Sequence, residues 1–220
     1  MKKQTAIWII LLVMTNQMFA QTDSKQKKQG IGIGAKAGLN FSNITKANDI
    51  GNSSRTGFMV GAFLAPPSKK IISSRTEIIF SRQGYNYKTN TSTGSVDLNY
   101  IILPQLMGIN ITRFVQVQVG MQMAYLLNAK ADSSKPASGA NPYGALLDYY
   151  NRFDYGAAGG IEIFPIKNLL IGARFNISFG NIYKNFTDAG SGGGSTEPPS
   201  FIPKVNVKNN VIQLFAGVRF

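Results

Sequence analysis

The sequence predicts an all-β fold: an eight-stranded antiparallel up-and-down transmembrane β-barrel that follows a cleaved signal peptide. After residue 30, most of the chain alternates apolar and polar side chains with a period of two, which is typical of strands with two unlike faces. Several of these segments reach the roughly 9–11 residues that a tilted strand needs to cross a bilayer. The connections between them alternate in length, as in membrane-spanning barrels.

Residues 1–20 have the three parts of a secretory signal peptide. Lys2 and Lys3 supply the positive start, residues 6–14 form an apolar run, and Ala20 is the small residue before the cut. The run is far shorter than the ~20 residues of a membrane-spanning helix, although a membrane anchor or a buried helix remains the alternative. We therefore predict a signal peptide over 1–20, an N-terminal periplasmic segment over 21–30 and the barrel domain over 31–220.

Five segments alternate clearly: 31–42, 115–125, 153–163, 169–180 and 212–220. Three further strands, near 56–65, 71–84 and 97–109, are less regular, and Pro104 lies in the last, where proline tends to mark an edge or a bulge. Arg82 occupies an apolar-phase position, which indicates that its strand has left the membrane at that point. Eight strands result.

The predicted connections alternate along the chain. Short ones lie near 66–70, 110–113 and 165–168, and long polar ones lie near 44–55, 85–96, 131–151 and 184–207. In outer-membrane barrels the short turns face the periplasm and the long loops face outside. The expected location is therefore the outer membrane of a Gram-negative cell envelope.

The polar faces of the strands carry a few charges, which we expect to form an interior ionic and hydrogen-bonded network. The residues concerned are Lys36, Arg75, Glu77, Asp154, Glu162, Arg174 and Arg219. Four cations and three carboxylates are close to balance. Without Lys2 and Lys3 of the leader, the formal net charge of +13 becomes +11, which must lie mainly on turns and loops. Basic residues on the long loops, such as Lys88 and Arg152, would contact lipopolysaccharide phosphates.

Aromatic residues near the strand ends predict girdles at the two membrane interfaces, although aromatics also favour strands in general. The predicted outer girdle comprises Phe41, Phe58, Tyr85, Tyr87, Tyr100, Tyr125, Phe153, Tyr155 and Tyr183, and the inner one Phe63, Phe114, Phe164 and Phe220. Phe220 resembles the C-terminal aromatic that outer-membrane barrels present to their insertion machinery.

Several segments together resemble the PorT-like outer-membrane β-barrel family of Bacteroidota-type bacteria. They are GAKAGLNFSNI at 34–44, GFMVGAF at 57–63, EIIFSRQG at 77–84, YIILP at 100–104, DYG at 154–156 and VRF at 218–220. The resemblance covers nearly all of the chain after the leader. It implies an eight-stranded barrel and, for most members, no defined activity. The namesake type is associated with a protein secretion system.

The composition argues against an enzyme, and we predict no catalytic residue, no metal site and no cofactor. The sequence has no His and no Cys, so the commonest general base, the commonest metal ligand and thiolate chemistry are all missing. Asp154 and Glu162 are eight residues apart on one strand face, roughly 26 Å at 3.3 Å per residue, which is too far for a glycosidase pair. The dispersed basic residues of an exported chain do not favour binding to nucleic acid.

Three functions remain open at this stage. The first is a non-enzymatic outer-membrane barrel with a structural, assembly or secretion-accessory role. The second is a surface-interaction protein whose long loops bind host or polysaccharide partners. The third is a soluble, lipocalin-like periplasmic binding barrel. The expected partners are outer-membrane lipids, lipopolysaccharide, the barrel-insertion machinery and secretion-system or envelope proteins.

Overall fold

A computed structural model describes residues 32–45, 51–65, 71–88, 93–133, 146–184 and 207–220. The chain divides into two compact units, residues 1–30 and 31–220, and all described residues belong to the second. The predicted signal peptide, the segment 21–30, the turn 66–70 and most of the loops at 131–151 and 184–207 lie outside the described residues.

Eight antiparallel strands form a closed barrel, in which each strand pairs with its neighbours in sequence and β8 returns to β1. The strands are β1 Gly32–Ile44, β2 Ser53–Ala65, β3 Ile72–Lys88, β4 Thr93–Asn110, β5 Val115–Ser133, β6 Phe153–Ile166, β7 Leu169–Ser178 and β8 Asn209–Arg219, with a short helix α1 at Leu146–Tyr149. Closure satisfies backbone groups that would have no water partner in lipid. The predicted fold class is confirmed.

The barrel carries its apolar side chains on the outside. On β7, Ile171 and Phe175 are 51% and 43% exposed, whereas Arg174 between them is 2% exposed. On β8, Leu214 points outward between Leu39 of β1 and Ala173 of β7. A soluble barrel has the opposite arrangement, with an apolar interior, so the lipocalin-like alternative is wrong.

The prediction of a long loop over 85–96 is wrong. β3 continues to Lys88 and β4 begins at Thr93, and their pairing runs without a register shift from Arg82↔Asn99 to Lys88↔Thr93. β5 likewise continues to Ser133, into the segment predicted as a loop from 131. The Asn, Ser, Thr and Gly residues of this region resemble a loop, but cross-strand pairing overrides their weak strand preference.

The apolar outer surface ends where β3 reaches Arg82. Phe80 contacts Phe58 of β2 on the outside of the barrel, with ring centroids 5.8 Å apart, and two residues later the Arg82 side chain is 43% exposed. Beyond this level, β3, β4 and β5 project past the apolar belt; we call residues 82–88, 93–99 and 127–133 the projecting sheet. No helix in the described ranges is both long and apolar enough to cross a membrane.

The aromatic girdles form only in part. Phe41, Phe58, Tyr125, Phe153, Tyr155, Phe114 and Phe220 are exposed on the outside, as predicted. The side chains of Tyr85, Tyr87, Tyr100, Tyr183 and Phe63 are buried instead, and Phe164 is partly buried. The buried aromatic residues that belong to strands occupy positions whose side chains point into the barrel. Tyr183 lies after β7 and forms an antiparallel bridge with Tyr150.

Candidate functional site

The centre of the barrel contains an ionic cluster formed by Lys36, Arg75, Glu77, Glu162 and Arg174, all buried. Glu77 is its hub. Lys36 Nζ donates to Glu77 Oε2 at 2.7 Å, and Arg174 donates from Nη1 to Oε2 at 2.6 Å and from Nη2 to Oε1 at 3.0 Å. The glycines of β1 and β7 beside these residues, Gly34 and Gly172, have no side chain and leave room for Phe63, Glu162 and Phe215.

Glu162 is the second carboxylate of the cluster. Arg75 Nη1 donates to both of its carboxylate oxygens at 2.6 Å. Distances of 3.9 Å from Arg75 to Glu77 and from Arg174 to Glu162 join the two halves. Arg174 Nη2 also donates to the Gln118 side-chain oxygen at 3.0 Å. Cations from β1, β3 and β7 thus share carboxylates from β3 and β6, which ties four strands together across the interior.

Two inward aromatic rings pack against the cluster. Lys36 Nζ lies 4.3 Å from the centroid of the Phe215 ring, and the Arg75 guanidinium carbon lies 4.6 Å from that of Phe63. Cation–π contacts of this kind add to the stability of a desolvated cation. Sequence reasoning did not identify Phe215 and placed Phe63 in a girdle. Their position on the polar phase of the alternation was the signal that could have found them.

The other two predicted network residues lie elsewhere. The Ser178 hydroxyl and the backbone amide of Tyr155 donate to Asp154, which lies at the long-loop end. Arg219 lies at the short-turn end, where its Nη2 donates to the backbone carbonyl of Ala65 at 2.9 Å. The balance of four cations and three carboxylates therefore does not hold locally, since the cluster itself contains three cations and two carboxylates.

Amide and hydroxyl side chains form a second interior layer. Asn40 Nδ2 donates to the Ser81 hydroxyl at 2.9 Å, and Gln213 Nε2 donates to Asn40 Oδ1 at 3.0 Å. Gln83 Nε2 donates to the same Ser81 hydroxyl at 2.8 Å and its own oxygen accepts from Asn209. The alternation placed Asn40 and Gln213 on polar faces but could not identify their partners, because the pairing of individual amides depends on register.

Inside the long-loop end, Tyr85, Tyr150 and Tyr183 form a tyrosine cap. The Tyr85 hydroxyl hydrogen-bonds with that of Tyr183 and lies 3.4 Å from that of Tyr150, and the rings of Tyr150 and Tyr183 are 4.9 Å apart. The cap packs in an apolar cluster with Leu98, Leu126 and Val207. Burial raises the pKa of the Tyr150 and Tyr183 hydroxyls well above the ordinary value, so both stay neutral.

On the outside of the projecting sheet, Asp97 accepts hydrogen bonds from two arginines. Arg55 Nε donates to Oδ1 at 2.5 Å, and Arg82 Nη2 donates to Oδ2 at 2.6 Å. Burial by itself would raise the pKa of Asp97, but the hydrogen bonds from Arg82 and Arg55 outweigh it and lower that pKa below its usual value. Asp97 therefore stays ionised through the neutral range.

The side chains of Glu77, Asp97, Asp154 and Glu162 are held by cations or hydroxyls rather than presented to an open cleft. In the described ranges, no group of three or more Asp and Glu residues is arranged to hold a metal ion. The arrangement is therefore suited to stabilising a filled barrel.

Comparisons with known proteins agree with this architecture. The family model described as "Outer membrane protein beta-barrel domain" matches residues 19–184. Neisserial surface protein A is 14% identical with a TM-score of 0.52, covering 87% of this chain and 100% of that one. The attachment invasion locus protein of Yersinia pestis is 13% identical, with a TM-score of 0.44 over 87% and 100% of the two chains. OprG of Pseudomonas aeruginosa is 11% identical, with a TM-score of 0.45 over 87% and 97%.

A search of curated proteins found no match. The family match covers well over half of the chain, and the structural likeness to Neisserial surface protein A shows the same fold. The chain therefore belongs to the outer membrane protein beta-barrel domain family and is located in the outer membrane.

Proposed function

We propose that this protein is a non-enzymatic outer-membrane barrel with a structural, assembly or secretion-accessory role, exported by the signal peptide at 1–20 and of the PorT-like type. The filled interior carries this proposal. Glu162, Arg174 and Asn40 from three different strands are each at most 2% exposed, so side chains occupy the space that a channel would need. Outer-membrane lipids, lipopolysaccharide and the insertion machinery are its general partners, and secretion-system or envelope proteins its specific ones.

Conductance across a planar lipid bilayer tests the occluded interior. The folded protein should give no steady single-channel current, whereas a 16-stranded porin measured under the same conditions should conduct. Heat-modifiable migration on gels would show that the sample is folded. A stable current from folded, unmodified protein would rule out a purely structural barrel.

A test of the cellular role needs a variant that stays folded. Deletion of the gene should alter envelope assembly or protein secretion, and the wild-type gene should restore it. A variant that removes one outer ion pair of the projecting sheet, Arg82→Gln with Asp97→Asn, should also restore it if the barrel itself carries the role. If the folded variant does not restore the function, the outer surface of the projecting sheet carries the role instead.

One observation favours surface interaction as a second function. The projecting sheet extends past the apolar belt and borders an open cavity of about 590 Å³, whose lining includes Arg55, Asn86, Lys88 and Ser95. Polar and basic groups around an open cavity suit an anionic or polysaccharide partner. Binding of such a partner should be lost in Arg55→Gln with Lys88→Gln, while the barrel stays folded. Unchanged binding would exclude this surface.

A further inference from the structure

The short-turn end of the barrel contains an open cavity of about 530 Å³ with a one-sided charge. Four cationic side chains line it, Arg75, Arg113, Lys167 and Arg219, and no described Asp or Glu belongs to the lining. We call this cavity the basic cup. Clefts lined by charges of one sign focus the electric field and concentrate counter-ions.

Three of the four cations have no acidic partner. Among the residues that the structure describes, Arg113, Lys167 and Arg219 form no ion pair, whereas Arg75 is bound to Glu162. The ionic cluster just inside the cup does not supply the missing negative charge. Apart from Arg75, which already lines the cup, its two cations, Lys36 and Arg174, balance its two carboxylates.

The sequence of the turns reinforces this imbalance. The three short connections, residues 66–70, 111–114 and 167–168, contain four Lys and Arg residues and no Asp or Glu. The long-loop end differs, since Asp97 and Asp154 lie there. Basic residues such as Arg55 and Lys88 also lie at the long-loop end, so the short-turn end is distinguished by the absence of Asp and Glu from its connections.

Two of the arginines are held in position by contacts with the protein. Arg219 donates to the carbonyl of Ala65 at 2.9 Å, and its guanidinium lies where a side chain on Gly32 would otherwise be. The Arg113 guanidinium carbon lies 4.5 Å from the centroid of the Phe114 ring. Guanidinium groups that are fixed before binding lose less entropy per hydrogen bond, and their planar fork matches phosphate oxygens.

We propose that the basic cup binds a phosphate group, either on a lipid headgroup or as a soluble phosphate. Three unpaired cations favour an anion with several acceptor oxygens over a single carboxylate. The polar lining residues Ser73, Thr112 and Gln116 provide further hydrogen-bonding groups. A volume of about 530 Å³ accommodates a phosphate together with the group that carries it.

Calorimetric titration of the folded full-length barrel in a neutral detergent with inorganic phosphate tests this proposal. Saturable binding is expected, and Arg219→Gln should weaken it about tenfold by removing a charge-assisted hydrogen bond. Arg113→Gln and Lys167→Gln change only turn residues, so they test the cup without risk to the strands. Lys208→Gln is the matched control, since it removes the same charge from an exposed position at the opposite end, outside both cavities, and should leave binding unchanged.

The source of the phosphate is distinguished in nanodiscs. If adding phosphatidylglycerol to phosphatidylcholine nanodiscs weakens binding of inorganic phosphate to the wild type, then the lipid headgroup occupies the cup. If phosphatidylglycerol has no such effect, the cup takes soluble phosphate, and both results support a phosphate site. Absence of saturable binding, or an equal loss in Lys208→Gln and the cup variants, would overturn it.

Discussion

The ionic cluster and the tyrosine cap both lie inside the barrel, and β3 contributes to both, but the two faces of β3 have opposite polarity at the two levels. Around the cluster, β3 points Arg75 and Glu77 inward and Ile78 outward. Near the cap, the same strand points Tyr85 inward, while Arg82 is the outward group. The alternation keeps its phase along β3, but the polarity of the two faces is exchanged between these levels.

This exchange of polarity along β3 shows where the surroundings of the barrel change from hydrocarbon to water. Hydrocarbon around the belt requires apolar side chains outside, and the remaining polar and charged groups must satisfy one another within the barrel. Water around the projecting sheet restores the usual arrangement, with an apolar core that includes Leu98, Leu126 and Tyr150 and with polar groups such as Arg82 and Asp97 outside. One strand thus belongs to a membrane barrel in one half and to a soluble-type sheet in the other.

Removing the hub carboxylate should have the largest effect on stability. Glu77→Gln leaves Lys36 and Arg174 buried without their main counter-charge, and breaking a buried ion pair in this way costs about 3–5 kcal/mol. Urea-induced unfolding in detergent micelles measures the loss. The double variant with Lys36→Met should recover part of it, because both members of one pair are then neutral. A loss below about 1 kcal/mol would mean that the cluster does not stabilise the barrel.

A charge introduced on the outer surface tests whether the apolar belt contacts lipid. Leu214→Arg places a cation in the apolar belt between Leu39 and Ala173 and should cost about 2–4 kcal/mol near the bilayer midplane. Ile111→Arg, in the turn between β4 and β5, is the control and should cost about 0–1 kcal/mol. Unfolding from liposomes measures both. Equal costs would contradict lipid contact at Leu214.

The tyrosine cap should respond locally and more weakly. Tyr183→Phe removes the hydroxyl that bonds to Tyr85 and keeps the ring contact with Tyr150, so the expected loss is about 0.5–1.5 kcal/mol. Proteolysis of the long-loop end should accelerate, while the heat-modifiable migration of the barrel should stay normal. Loss of the folded gel form would show instead that the cap and the belt unfold as one unit.

The smallest effect should come from pH and Asp97. The pKa of Asp97 in the folded protein is lower than in the unfolded chain, so its contribution is fully present above the unfolded value near 3.9. It is lost as the pH falls from there through the lower folded pKa. Since the pair is partly exposed, we expect less than about 1 kcal/mol. The free energy of unfolding, measured between pH 5 and pH 2, should lack this pH-dependent component in Asp97→Asn. A pH profile identical to that of the wild type would refute the prediction.

Much of the barrel could be predicted because lipid contact leaves a simple pattern in the sequence. The alternation on β7 and β8 placed Ile171, Arg174 and Leu214 on the correct sides, and Arg82 marked the end of the belt. The pattern was misleading at Tyr85 and Phe63, since an aromatic residue near a strand end suits either face and only the pairing phase decides between them. The strand extensions over 85–88 and 93–96 were missed because their polar residues suit a loop as well as a solvated sheet.

The sequence by itself determined the number of membrane-crossing strands, their outward faces and the ionisable residues on the inward faces, because period-two alternation is a local property of each strand. Only the tertiary structure decided that Glu77 serves Lys36 and Arg174, that Asp154 and Arg219 stand apart, and that three tyrosines meet at one end. These contacts join residues about 40 to 100 positions apart. They depend on the stagger between strands around the closed barrel, which no single strand encodes.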